Sequence, residues 1–185
     1  MDNFKQIIEP RKEPENIETR ERNTELLKAA TEGCWREAVY ILLKDKQAAT
    51  KAINDDGNTM LHKAVEKWQN YFVKKLLEFI ENDRAIEKQN SDGRTALHIA
   101  AIVGNTPAAK LLVEKRKELL GLADHNALVP LLSAYYNRNF DTFAYLLEVA
   151  EINNENVSIG FYPDPDILSG ATFLVILIFE KNYGE

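Results

Sequence analysis

The sequence holds one cysteine, Cys34, so no disulfide can close within the chain. That usage suits a reducing compartment and a cytoplasmic chain. Basic charge is in short supply: 23 Lys and Arg face 29 Asp and Glu, for a formal net charge of −6. A nucleic-acid binder needs a basic face for its phosphate contacts, so that class is disfavoured. The longest apolar run, Ala171 to Phe179, is well short of the ~20 residues of a membrane-spanning helix. Met1-Asp2-Asn3-Phe4-Lys5 contains no apolar core of a signal peptide. GxSxG, Walker A, HExxH and GxGxxG are all missing. The chain is therefore expected to be no enzyme and to hold no cofactor and no metal.

What is present is a phrase said more than once. Asp56-Gly57-Asn58-Thr59-Met60-Leu61-His62-Lys63-Ala64 recurs as Asp92-Gly93-Arg94-Thr95-Ala96-Leu97-His98-Ile99-Ala100. A fainter copy runs from Asn126 through Val129-Pro130-Leu131-Leu132-Ser133-Ala134, and an earlier one from Thr24 to Gly33. Thr24, Thr59, Thr95 and Val129 lie 35, 36 and 34 residues apart (59 − 24, 95 − 59, 129 − 95). A period of this size marks a solenoid of stacked units, and a stack favours a binding surface over an active site.

Each copy reads as helix, turn, helix. In the third, Asp92-Gly93 makes a tight turn, Thr95 caps a helix over 96–102, and Gly104-Asn105 ends it. Thr106-Pro107 then reads as the cap and first residue of the second helix. Ala64, Ala100, Ala101 and Ala134 are small because a first helix is pressed between its neighbours. Leu42-Leu43, Leu76-Leu77, Leu111-Leu112 and Leu146-Leu147 are expected to be the second-helix core. The organisation reads as a mobile charged arm over 1–22, repeats over about 23–54, 55–90, 91–125 and 126–150, a loop insertion over 151–169, and a truncated fifth repeat over 170–185. That half-repeat suggests a truncated gene product, a splice product or a cut piece. The rival reading of the run is a short buried strand or a capping helix.

The motifs D-G-N-T-M-L-H and D-G-R-T-A-L-H-I-A-A resemble ankyrin repeats, which implies an all-α ankyrin-repeat solenoid. The fourth copy, Asp124 to Tyr136 followed by Asp141-Thr142-Phe143-Ala144-Tyr145-Leu146-Leu147, is similar to plant ankyrin-repeat membrane proteins with a C-terminal PGG domain, of the accelerated-cell-death and increased-salt-tolerance types. That resemblance implies the cytosolic part of a defence or stress signalling protein, with full-length relatives at the plasma membrane or another membrane. The PGG domain and its membrane helices are missing from this sequence. In the family's pattern the motif histidine ties the helix start to the preceding turn, often through the motif threonine. His62 and His98, one repeat apart, would lie about 10 Å from each other, too far to share a metal at ~2 Å per bond.

Gly57, Thr59, Leu61, His62, Ala64, Gly93, Thr95, Leu97, His98, Ala100, Gly104 and Pro130 are thus read as structural. Partner binding is assigned to the turn tips, Asn54, Asp55, Asn58, Asn90, Ser91, Arg94 and His125, and to the open side of the first helices, Lys63, Glu66, Ile99, Ile102, Tyr135 and Tyr136. Trp68, Tyr71 and Phe72 are read as filling the inter-helix joint of the second repeat, with an aromatic hot spot as the other reading. The partner is expected to be a protein. The alternatives are a free-standing cytosolic adaptor, a non-functional gene-model fragment, and a small-molecule enzyme or receptor with a convergent polar pocket.

Overall fold

A computed structural model describes residues 16–152 of the chain. Most of the expected arm, the loop insertion beyond Ile152 and the half-repeat at 170–185 lie outside the described residues.

Eight α-helices pair off along the described chain: α1 (Ile17–Glu32) with α2 (Trp35–Lys44), α3 (Met60–Glu66) with α4 (Asn70–Phe79), α5 (Ala96–Val103) with α6 (Thr106–Lys115), and α7 (Pro130–Tyr136) with α8 (Phe140–Ile152). Short 3-10 turns over Lys46–Thr50, Asp83–Glu87 and Lys117–Gly121 follow the first three pairs. The first helices stack in one row, α1 on α3, α3 on α5 and α5 on α7. The second helices form another, α4 on α6 and α6 on α8. Ala29, Ala64, Ala100 and Ala134 sit at the same place in the first row, and all are fully buried. A larger side chain there would part the layers.

Three boundaries differ from the sequence reading. Helix α1 starts at Ile17, inside the expected arm. Asn16 caps it by accepting the Glu18 amide, and Arg22 is held to Asp45 across 2.9 Å. Helix α8 runs to Ile152, two residues into the expected loop. The cap of α6 is Asn105, not Thr106: its side-chain oxygen accepts the Ala108 amide, and Pro107 follows in the first turn, where its missing N–H costs no hydrogen bond.

The second-helix core also shifts by one place in two repeats: in the third the buried pair is Leu112-Val113, with Leu111 only part-buried, and the first repeat is off as well. Leu42 is fully buried, but Leu43 is 68% exposed. The repeat spacing there is 35, so Ile41-Leu42 match Leu76-Leu77, and Leu43 falls where Glu78, Glu114 and Glu148 face solvent. The joint between the first two repeats is filled by Trp35, whose ring meets Phe72 at 5.4 Å and Phe79 at 6.1 Å. Phe72 is buried as expected, but Trp68 and Tyr71 are exposed and do not fill the joint.

Candidate functional site: the turn tips and the open face of the first helices

The turns and first-helix starts are knit together before any surface is offered. In the third repeat, Thr95 and His98 form a capping box. The Thr95 amide and hydroxyl donate to His98 Nδ1 at 3.1 and 2.8 Å. With Nδ1 accepting, Nε2 carries the proton and donates to the Leu128 carbonyl at 2.9 Å. The second repeat repeats this, with Thr59 on His62 Nδ1 and His62 Nε2 donating to the Arg94 carbonyl at 2.9 Å. The histidine therefore reaches forward into the following repeat, not back to the preceding turn. Burial pushes His62 down to about 4, against the bond to the Arg94 carbonyl, which favours the charged form. Burial lowers His98 in the same way. Both rings are neutral at pH 7.

A second ladder runs backward and leaves no motif in the sequence. Gln69 donates to the Thr31 carbonyl at 3.1 Å, Asn105 to the Val65 carbonyl at 3.0 Å, and Asn139 to the Ala101 and Ile102 carbonyls at 2.9 and 2.8 Å. Each amide stands just after the inter-helix turn and satisfies carbonyls near the end of the previous first helix. Gly104 leaves room for this. A Cβ there would lie 2.6 Å from Asn139 Oδ1, and its φ of +74 disfavours L side chains.

Several expected binding residues are engaged in the same framework. Asn54 and Asn90 are turn formers: Asn54 Oδ1 accepts the Asn58 amide, and Asn90 Oδ1 accepts the Asp92 and Arg94 amides. Asp124 does this in the fourth repeat. Asn58 is buried and accepts from the Asn90 side chain at 3.0 Å. Arg94 is half-buried, paired with Asp92 at 3.1 Å and lying 3.7 Å from the buried Asp124 carboxylate. Asp55, Ser91 and His125 are exposed at the tips. The tips themselves are joined by main-chain bonds, Ser91 N–H to the Asp56 carbonyl at 2.8 Å and His125 N–H to the Asp92 carbonyl at 3.0 Å.

On the first helices the open face changes character along the stack. In the second repeat it is polar: Lys63 and Lys67 both pair with Glu66. Burial raises the Glu66 pKa, but the hydrogen bonds from the two lysines outweigh it and hold the carboxyl below its ordinary value. In the third repeat the same places hold Ile99 and Ile102, both part-exposed. In the fourth they hold Ser133, which is buried, and Tyr136, which is 45% exposed and meets Tyr135 edge-on at 5.7 Å. Tyr135 itself leans inward onto Phe143. A cleft between the first two 3-10 turns, lined by Lys51, Arg84, Glu87 and Lys88, is an open groove.

The inter-helix turns carry two strained positions on the surface. Trp68 and Arg138 hold left-handed backbone, with φ of 60 and 59, at the places where the first and third repeats have Gly33 and Gly104. No helix among the described residues is long and apolar enough to cross a membrane.

Comparison with known proteins agrees with this architecture. The family description "Ankyrin repeats (3 copies)" matches residues 69–156. Alpha-latrotoxin-Lhe1a of Latrodectus hesperus is 32% identical over 63% of this chain and 8% of its own length. BTB/POZ domain-containing protein 1 of Schizosaccharomyces pombe is 41% identical over 40% of this chain and 6% of its own. The B-cell lymphoma 3 protein homolog of Mus musculus is 26% identical over 71% of this chain and 29% of its own. The matched region thus spans less than a third of each of these relatives. Nothing in the match points to catalysis, and such repeats are generally protein-interaction modules. The repeats of this chain are ankyrin repeats, and its fold is an all-α ankyrin-repeat solenoid.

Proposed function

We propose that this chain binds a protein partner across the open face of α5 and α7 and the adjoining turn tips. The observation that carries the reading is the apolar step formed by Ile99, Ile102 and Tyr136, next to a Lys63–Glu66–Lys67 cluster in which one carboxylate pairs with both ammonium groups. Apolar and aromatic side chains at the centre of a surface, bordered by polar ones, are the composition of a binding hot spot. Asp55, Ser91 and His125 at the tips form the polar border. Ile102 is part-exposed, so Ile102→Asp should leave the fold intact. Binding to a partner isolated with the wild-type chain should fall at least tenfold, while Tyr71→Asp, on the inter-helix edge, should bind as wild type. Unchanged binding by Ile102→Asp in a folded variant would place the contact elsewhere.

The finer setting is the ankyrin part of a plant defence or stress signalling protein with a PGG domain and membrane helices. The fourth repeat, Asp124 to Tyr136, supports it. The coding sequence downstream of Glu185 tests it: an in-frame PGG domain would support this setting, and its absence would favour a free-standing adaptor or a fragment.

A further inference from the structure

The open groove between the first two 3-10 turns carries more positive charge than the stack uses. Lys51 stands on one wall, and Arg84, Glu87 and Lys88 stand on the other. Through Thr50 and Ala85 the groove is continuous with a smaller cleft, lined by Ala49, Phe79 and Ile80, where Lys46 and Glu81 pair at 3.2 Å. The carboxylates nearby are already engaged. Glu87 Oε1 accepts from Arg116 Nε and Nη2 at 2.7 and 2.6 Å. Asp45 lies 3.6 Å from Lys51 but is held more closely by Arg22, at 2.9 Å. Asp83 pairs with Lys115 at 3.0 Å. Arg84 and Lys88 are exposed, and no carboxylate among the described residues pairs with either. These cations are not a requirement of the repeat. Asn90 and Asp124 hold equivalent turns 34 residues apart (124 − 90), and at that offset Arg84 and Lys88 become Glu118 and Leu122.

We propose that this groove binds an extended acidic peptide segment of a protein partner, with carboxylates against Lys51, Arg84 and Lys88 and an apolar side chain over Phe79 and Ala85. Charge complementarity selects this occupant. Three cations line the groove beside one carboxylate, and Arg116 already holds that carboxylate, so positive charge is left for a ligand. The Arg84 guanidinium can take a carboxylate in a two-pronged fork, while the lysines act as point charges. The wider part of the groove, about 650 Å³, has room for several side chains rather than for one small ion. Phe79 and Ala85 are part-exposed, and covering them gains free energy in proportion to the apolar area removed from water. A long polyanion such as nucleic acid suits the place less well. The formal net charge of the chain is −6, and Asp55, Asp56 and Asp92 are exposed on the turn tips. The groove shares no residue with the proposed partner face on α5 and α7, so the two readings stand or fall separately.

Fluorescence anisotropy of a labelled peptide of alternating glutamate and leucine, titrated with the full 185-residue chain, tests it. Binding should saturate, and added sodium chloride should weaken it. Arg84→Glu and Lys88→Glu should each weaken it about tenfold. Both side chains are exposed, so the urea midpoints of these variants should match the wild type. Lys110→Glu, the same charge change at an exposed place on α6, should bind as wild type. The proposal is overturned if the peptide shows no saturable binding, if a peptide with glutamine in place of glutamate binds equally well, or if Lys110→Glu loses as much as Arg84→Glu. Tighter, Arg84-dependent binding of a single-stranded oligonucleotide would overturn it too, because it would assign the groove to nucleic acid.

Discussion

The two central repeats and the two flanking ones solve the same packing problem with different chemistry. In repeats two and three a buried histidine joins its own threonine to the main chain of the next repeat. In repeats one and four the same place holds Leu27 and Leu132, both partly buried. The central joints thus combine a forward histidine, a backward amide and a bond between turn tips. The joint between repeats one and two keeps the backward amide of Gln69 and relies on Trp35 against Phe72 and Phe79. Hydrogen-bonded joints fix register, because a buried donor must meet its acceptor. Apolar joints fill volume and tolerate repacking.

The sharpest way to break this contrast is His98→Ala. It removes the partner of the Thr95 amide and hydroxyl and of the Leu128 carbonyl, all at a buried joint. Leaving such groups unpaired should cost about 3 kcal/mol. Leu132→Ala, at the same place on α7, removes only partly buried apolar area and should cost about 1 kcal/mol. Urea midpoints decide the matter. Equal costs would mean that the histidine contributes volume and not connectivity.

Acid sharpens the same contrast. His62 is held at about 4 in the folded chain against an ordinary 6.5, because burial opposes its charge. The folded state therefore binds this proton less readily than the unfolded state. The contribution is complete above pH 6.5 and is lost as pH falls from 6.5 toward 4. Between pH 7.5 and 5 it amounts to roughly 2 kcal/mol. Protonating Nδ1 also removes the acceptor for the Thr59 amide. Stability measured at both pH values should drop by less in His62→Leu, which has no proton to gain. Identical drops would assign the acid sensitivity to other groups.

The central repeats were legible because their signals are local. Thr-x-Leu-His places a cap and its reciprocal partner three residues apart, and glycine at positive φ ends the helix. The backward amide ladder was not legible. Gln69, Asn105 and Asn139 differ in length or surroundings, and their partners are carbonyls, which every residue has. Helix α1 was half missed because Ile17 to Arg22 is charged and poor in aliphatics; its anchor is the ion pair to Asp45, 23 residues away. Among the candidate binding residues, Asn54, Asn58 and Asn90 looked like free polar tips. Short amide side chains at turns usually bond the backbone within a few residues, and Asn54 and Asn90 do so here.

The smallest expected effect concerns the inter-helix turn, where the four repeats sort differently. Gly33 and Gly104 hold the left-handed position in repeats one and three, while Trp68 and Arg138 hold it in repeats two and four. A bulky L residue at φ 60 carries a steric cost that glycine does not. Trp68 is half exposed, so its ring returns little of that cost through burial. Trp68→Gly relieves the strain but widens the unfolded ensemble, and the two terms nearly offset. The net should be a gain of about 0.5 kcal/mol, read as a slightly higher urea midpoint. The reverse change, Gly104→Trp, should instead destabilise. Its Cβ would meet Asn139 Oδ1 at 2.6 Å and displace an amide that serves two carbonyls. If Trp68→Gly lowers the midpoint, the ring contributes packing that its exposure conceals, and the turns of repeats two and three are then built on different terms.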